Sequence, residues 1–241
     1  MPRATVCLPT YNERENLEPM VTALLERLGP DDAILVIDDG SPDGTGALAD
    51  RIAAAHDGRV AVLHRPAKEG LGPAYLAGFR RALSEGAELV LEMDCDFSHD
   101  PADVPRLIEA TADADLVLGS RYVDGGRVED WGAGRRFVSR AGSLYAQTLL
   151  ATHLRDLTGG FKCYRREVLE RIDLDAVSSR GYAFQIETTY RALRAGFRVV
   201  EIPIAFTDRE TGTSKMSRSI VLEAIWRVPH LGLQALSGRL R

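Results

Sequence analysis

AILVIDDGSPDGTGALADRIAAA, residues 33–55, decides the fold. Residues 33–38 are a short apolar run rich in Ile, Leu and Val that ends at turn residues, so they read as a buried strand. DGTGALADRIAAA (43–55) reads as the helix that follows. The same alternation recurs on either side. ATVCLP (4–9), RVAVLH (59–64), ELVLEMD (88–94) and DLVLGS (115–120) are further strands. Leu17, Val21, Leu24, Leu25 and Leu28 share one face of a first helix. Asn16 is its expected N-cap, Pro19 falls in its first turn, and Gly29 stops it. GPAYLAGFRRALSEG (72–86) and PADVPRLIEAT (101–111) supply two more helices. Such alternation predicts an α/β sheet with helices on both faces.

The second half is less regular. Residues 121–134 are polar and Gly-rich and read as a loop; 135–154 read as helix. TGGFKCYRR (158–166) is a candidate strand, YAFQIETTYRALRAG (182–196) a helix, and FRVVEIPIAFT (197–207) a strand bent at Pro203. Ser217 to Arg241 is expected to be a helical tail, broken or kinked at Pro229.

The chain has 241 residues, 45% of them hydrophobic and 27% charged, enough for one domain with a full core. Its net charge of -5 argues against a duplex nucleic-acid footprint. Cys7, Cys95 and Cys163 are odd in number and widely spaced, which fits no disulfide framework or zinc site and favours a reducing, cytoplasmic compartment. The opening MPRATVCLPTYNE lacks the apolar core of a secretory signal, and no run of 18 apolar residues occurs, so membrane contact is expected to be peripheral.

Four strands run into polar clusters: Pro9-Thr10-Tyr11-Asn12-Glu13, Asp38-Asp39-Gly40-Ser41-Pro42-Asp43, Asp94-Cys95-Asp96, and Gly119-Ser120-Arg121-Tyr122. In a parallel sheet the C-terminal strand ends share one edge, where ligands bind, so the four clusters should converge. DDGSPDG alone is also a good turn, and Asp94-Cys95-Asp96 alone is also a solvated loop. If 94–96 is extended, its two carboxylates point to one side and repel, and a divalent cation relieves that. Oxygen ligands without histidine or paired cysteine favour Mg²⁺ or Mn²⁺. Gly44-Thr45-Gly46-Ala47-Leu48-Ala49 matches a dinucleotide fingerprint, but five residues separate Asp38 from Gly44 and the next strand ends in His64-Arg65, so nicotinamide binding is not expected.

PTYNE, DDGSPDGT, KEGLGPAYLAGFRRA, MDCDFSHDP and GSRYVDGG together resemble the family 2 inverting glycosyltransferases. VEDWGAGRRFVSR, DLTGGFKCYRREVL, SRGYAFQIE and RETGTSKM resemble, within that family, the polyprenol (dolichol) phosphate mannose synthases, most of all the soluble actinobacterial type. The likeness runs from about Val6 to Met216. It implies a GT-A fold, a mixed and mainly parallel sheet with helices on both faces, as a single domain over 1–216 followed by an amphipathic C-terminal helix over 217–241. It also implies transfer of mannose from GDP-mannose to polyprenyl phosphate with inversion, dependent on Mg²⁺ or Mn²⁺. A related lipid-phosphate transferase using UDP-glucose or another nucleotide sugar is the alternative, and a catalytically silent nucleotide-binding subunit stands further off.

By the same likeness Pro9, Tyr11, Glu13, Ile37 and Asp39 would hold the nucleoside. Asp94 and Asp96 would be the D-x-D pair, with Asp96 on the metal, Asp94 positioning metal and sugar, and Cys95 a small residue between them. Ser98 stands where related enzymes often carry Gln and would join the metal shell, directly or through water. Arg121, Arg135, Arg209 and Lys215 would meet phosphates, and Glu187 would approach the sugar from the acceptor side. From Arg209 onward six basic residues face two acids, on a stretch rich in apolar side chains. That suits a helix lying on the inner face of a membrane, a core or dimer-packing helix, or contact with a membrane-anchor or acyltransferase partner. RETGTSKMS (209–217) is expected to order over bound phosphates as a lid.

Overall fold

The computed structural model describes residues 3–56, 58–129, 131–179, 181–208 and 218–237, and not the side chains of 133, 135, 182 and 218–224. The main sheet holds β1 (Ala4–Thr10), β2 (Ala33–Asp38), β3 (Val60–His64), β4 (Leu89–Glu92), β5 (Leu116–Ser120), β7 (Lys162–Arg165) and β8 (Val199–Pro203), in the order β3-β2-β1-β4-β7-β5-β8. Every neighbouring pair is parallel except the two that involve β7, which runs antiparallel between β4 and β5. A two-stranded ribbon, β6 (Arg127–Val128) with β9 (Ala205–Phe206), lies beside it.

Alternation along the strands builds two cores. Val6, Leu8, Ile34 and Val36 face α1 (Arg14–Leu25), α2 (Thr45–Ala55) and α4 (Val104–Ala110). Cys7, Leu35 and Ile37 face the other layer, with α3 (Leu71–Ser84), α5 (Ala133–Leu149), α6 (Arg166–Arg171), α7 (Tyr182–Arg194) and α8 (Arg218–Leu236). Each buried Leu, Ile or Val contributes about 1.5–3 kcal/mol, so a strand that fills both layers is held in register from both sides. This is a mainly parallel α/β fold in a single domain.

Several local expectations are corrected. α1 begins at Arg14, not after Asn16, because the chain enters it directly from the β1 tip. There Glu13 N donates to Thr45 Oγ1 (3.0 Å) and Arg14 N to Asp43 Oδ2 (3.3 Å). The Glu13 carbonyl accepts from Asn16 N and Leu17 N, so Glu13 is the N-cap and Pro19 falls in the helix interior, where one hydrogen bond is lost. The strand within 158–166 is only 162–165. The strand expected over 197–207 divides: β8 ends at Pro203, which cannot donate, and Ile204 carries the chain across to β9. The long helix closes at Leu149 rather than 154.

α8 continues through Pro229 without a break. Val228, Leu231 and Ala235 join the core on the α5–α7 side, while Trp226 (79% exposed), Leu233 and Leu236 (87%) face outward. Among the described residues no helix is long and apolar enough to cross a membrane.

Candidate active site at the strand tips

The loops after β1 and β2 are bound to each other. Thr10 pairs with Asp38 in the ladder, and Asp39 N donates to the Thr10 carbonyl at 3.1 Å. Asn12 N donates to Ser41 Oγ, and Asp43, just before the N-cap of α2, accepts from Thr45 N (3.0 Å) and Thr45 Oγ1 (2.6 Å). The Gly-x-Gly run has local causes: Gly44 is the N-cap with φ +90°, and a Cβ on Gly46 would lie 2.6 Å from Asp38 Oδ2.

The five expected nucleoside residues gather on these two tips. Ile37 is fully buried, so its backbone alone borders the edge, and Pro9 sits opposite it in register. Tyr11 lies under the Lys68 ammonium, 4.0 Å from the ring centroid. Glu13 accepts from Asn16 Nδ2 at 2.9 Å. Asp39 meets Arg65 Nη1 at 2.5 Å, and Arg65 reaches on to Glu69. Burial pushes the Asp39 carboxyl above its ordinary pKa, against the pull of Arg65.

β4 carries the acidic cluster. Its ladder ends at Glu92, and Asp94 and Asp96 follow on the loop. Asp94 is half-buried and receives a hydrogen bond from Tyr75 of α3. Asp96 is buried, and its Oδ1 accepts from Ser98 N at 3.1 Å. Cys95 is buried in the core. Phe97, between Asp96 and Ser98, is left-handed (φ +59°), as is Asn12 on the β1 tip (φ +58°). Non-glycine residues in that region carry strain and cluster at functional sites.

The donors here suit a hard cation. Ser98 is 1% exposed, and among the described residues its Oγ has no hydrogen-bond partner, a hydroxyl left over on the Asp96 loop. Two carboxylates and a hydroxyl are the oxygen ligands that Mg²⁺ or Mn²⁺ prefers. Among the described residues no three His, Cys, Asp or Glu side chains form a cage on their own. A cation held by these oxygens would take further ligands from a diphosphate and water, the usual arrangement for Mg²⁺ at nucleotide sites.

β5 and β6–β9 close the other flank. Thr207 N donates to the Ser98 carbonyl, and the His99 ring stacks on Phe161 (4.9 Å) and meets Phe206 edge-on (5.2 Å). Burial lowers the His99 pKa to about 4, so the ring is neutral. Arg121 follows β5 and is 7% exposed. Its Nε and Nη2 donate to Asp156 Oδ2 (2.7 Å) and Oδ1 (2.6 Å), Nη2 also reaches Thr158, and Tyr122, Trp131 and Phe206 surround it. Burial alone would raise the Asp156 carboxyl, but Arg121 outweighs it and holds the group below its ordinary pKa. These guanidinium nitrogens therefore serve Asp156.

Glu187 belongs to a different network. It is 1% exposed and accepts from Ser179 N (3.2 Å), Ser179 Oγ (2.5 Å) and Arg191 Nε (3.0 Å), while Arg227 of α8 donates to Ser179 Oγ at 3.0 Å. Arg135 lies on α5 with its side chain outside the description, and Arg209, Lys215 and the whole expected lid fall outside the described residues. Sequence reading missed Tyr75, Asp156, Ser179 and Arg227. It also missed the buried set below the Asp94 tip, where Lys162 Nζ donates to the Gln185 carbonyl (2.8 Å) and Tyr164 OH to Glu92 Oε1 (2.8 Å). Burial lowers Lys162 to about 8 and raises Glu92. The buried tyrosines had one faint signal, a phenol amid the small apolar residues of AYLAGF; the buried ion pairs had none.

The polar loops after β1, β2, β4 and β5 line up along the C-terminal edge of a mainly parallel α/β sheet, the edge at which such folds bind nucleotides. Residues 5–173 match glycosyl transferase family 2, and the chain belongs to that family. It is 51% identical over 240 residues to the polyprenol monophosphomannose synthase of Mycolicibacterium smegmatis, spanning 99% of this chain and 90% of that one. It is 50% identical to the undecaprenyl-phosphate mannosyltransferase of Micrococcus luteus, over 97% and 95% of the two chains. The fold is shared with a mannosyltransferase from Pyrobaculum calidifontis solved with GDP-Man and Mn²⁺ (TM-score 0.61, 18% identity, 98% of this chain and 74% of that one). It is also shared with glucosyl-3-phosphoglycerate synthase from Mycobacterium tuberculosis (TM-score 0.66, 20% identity, 94% and 80%).

Proposed function

We propose that this chain transfers mannose from GDP-mannose to polyprenyl phosphate with inversion, giving polyprenyl phosphate mannose and GDP. The observation that carries this is the 51% identity, over 99% of the chain, with a polyprenol monophosphomannose synthase. The tips of β1 and β2, with Tyr11, Glu13 and Asp39, take the nucleoside. Asp96 and Ser98, with Asp94 beside them, hold Mg²⁺ or Mn²⁺. When bound, that ion offsets the charge gathering on the departing diphosphate.

The chain's own residues do the rest. Asp94, half-buried at the mouth, orients the sugar side of the donor. The lipid phosphate, with a second pKa of about 6, is already largely ionised at neutral pH, so no protein base has to create the nucleophile. His99, neutral and packed between rings, and Glu92, sealed beneath the sheet edge, are accordingly spared from proton transfer.

The acceptor lives in a bilayer. Trp226, Leu233 and Leu236 of α8, with Phe137 and Leu144 of α5, present exposed apolar side chains on two helices joined by the Tyr145 OH to Ile225 carbonyl bond. They support peripheral seating on the inner membrane face, and an anchor or acyltransferase partner would use the same surface. The test of the function is a donor panel with polyprenyl phosphate and Mn²⁺. Turnover of GDP-mannose alone is expected; exclusive use of UDP-glucose would refute the assignment.

A further inference from the structure

Tyr75 of α3 is fully buried, its ring 5.9 Å from Phe79 and 6.0 Å from Phe184, with the Phe184 plane only 5° away. Packing of that kind asks only for a ring, and phenylalanine would fill the slot. A hydroxyl so deep is unfavourable unless it is hydrogen-bonded. Its acceptor is Asp94 Oδ1, at 3.3 Å. That is longer than a mature O–H···O bond, and contacts at catalytic groups commonly draw in once ligand arrives. Two residues earlier, Glu92 accepts from another buried phenol, Tyr164, at 2.8 Å. Phenols thus hold carboxylates on either side of the point where β4 ends.

We propose that Tyr75 is a positioning residue for the transfer reaction: its hydroxyl restricts Asp94 to one orientation before the nucleotide and the cation arrive. This rests on the reading of Asp94 and Asp96 as the cation and diphosphate site.

Tyr75→Phe keeps the ring and removes only the oxygen. Titration calorimetry with Mn²⁺ and GDP is expected to show roughly fivefold weaker binding, with kcat reduced and the KM for polyprenyl phosphate unchanged. Asp94→Asn is expected to weaken Mn²⁺·GDP binding by itself, and adding Tyr75→Phe to it should cost nothing more, since both act through one carboxylate. Phe184→Leu loosens the same stack but keeps the hydroxyl; it should lower the melting temperature and leave the affinity intact. The proposal is overturned if Tyr75→Phe binds as the wild type while Asp94→Asn does not, if the two losses add in full, or if Phe184→Leu loses as much affinity as Tyr75→Phe. Wild-type binding by Asp94→Asn would remove the site reading first, and the role of Tyr75 with it.

Discussion

Arg121 and Asp156 form a two-pronged ion pair, 2.7 and 2.6 Å long, in which the carboxylate is fully buried and the guanidinium nearly so. Asp156 also accepts from the Arg121 backbone N–H at 3.0 Å, so one side chain fixes both the charge and the turn that leaves β5.

Breaking that pair leaves the nearly buried Arg121 guanidinium without its carboxylate, among Tyr122, Trp131, Phe206 and the Thr158 hydroxyl. Asp156→Asn should lose about 3–5 kcal/mol of unfolding free energy, read from urea denaturation at neutral pH. The sign with pH follows from the depressed carboxyl. Its contribution is complete above the unfolded-state value and is lost as pH falls through the lower folded-state value. The wild type should therefore weaken more steeply than Asp156→Asn below about pH 4.

Asp96 is buried beside the Ser98 hydroxyl, which has no partner among the described residues, and the cation reading makes Asp96 a direct ligand. Groups one shell out from a metal typically cost 10–100-fold in affinity or activity. Asp96→Asn should then cut Mn²⁺-dependent turnover by more than about 100-fold, while circular dichroism and the melting temperature stay near wild type. Turnover equal to wild type at saturating Mn²⁺ would refute the ligand role.

Trp226 and Leu233 are 79% and 65% exposed, so replacing them with serine should leave the core untouched. Burying one large apolar side chain is worth about 1.5 kcal/mol or more, about tenfold in a binding constant. Co-sedimentation of Trp226→Ser/Leu233→Ser with anionic vesicles should drop by at least that factor. The KM for the lipid should rise and that for GDP-mannose should not. Unaltered sedimentation would locate membrane contact elsewhere.

Cys7 and Cys163 are buried, and desolvation raises both thiols far above their ordinary range. Raised groups favour the folded state below the unfolded-state pKa, and that contribution fades as pH climbs past it, because only the unfolded chain can form thiolate. Urea midpoints should fall above about pH 8.5, and less so in Cys7→Ala/Cys163→Ala. Identical slopes in the two proteins would refute the linkage.

The parallel half of the sheet was readable because each strand is an uninterrupted apolar run closed by turn residues: 33–38 was placed to the residue. The edge clusters were readable for the same reason, since strand direction alone puts Asp39, Asp94 and Arg121 on one rim. β7 was harder. Its four residues, Lys-Cys-Tyr-Arg, carry two cations, and nothing local says that Lys162 is buried or that the strand runs backward. Long-range partners decide both. The start of α1 was misplaced for a related reason: Asn16 is a good cap in isolation, but contacts to Asp43 and Thr45, some thirty residues on, start the helix earlier. The resemblance suggested a phosphate-facing Arg121, yet no sequence pattern linked it to Asp156, thirty-five residues away.

The backward strand also dictates an order of assembly. β4 and β5 never touch each other in the ladder; the edge of β4 away from β1 and the edge of β5 away from β8 are paired only once residues 162–165 slide between them. During synthesis, about 70 residues after β4 emerges, its outer edge is still an open template for strays. A ribosome stalled before position 162 would hold a half-sheet carrying both aspartates of the acidic loop, yet with that flank unzipped. Competence for chemistry thus arrives late, with four residues that take no part in it.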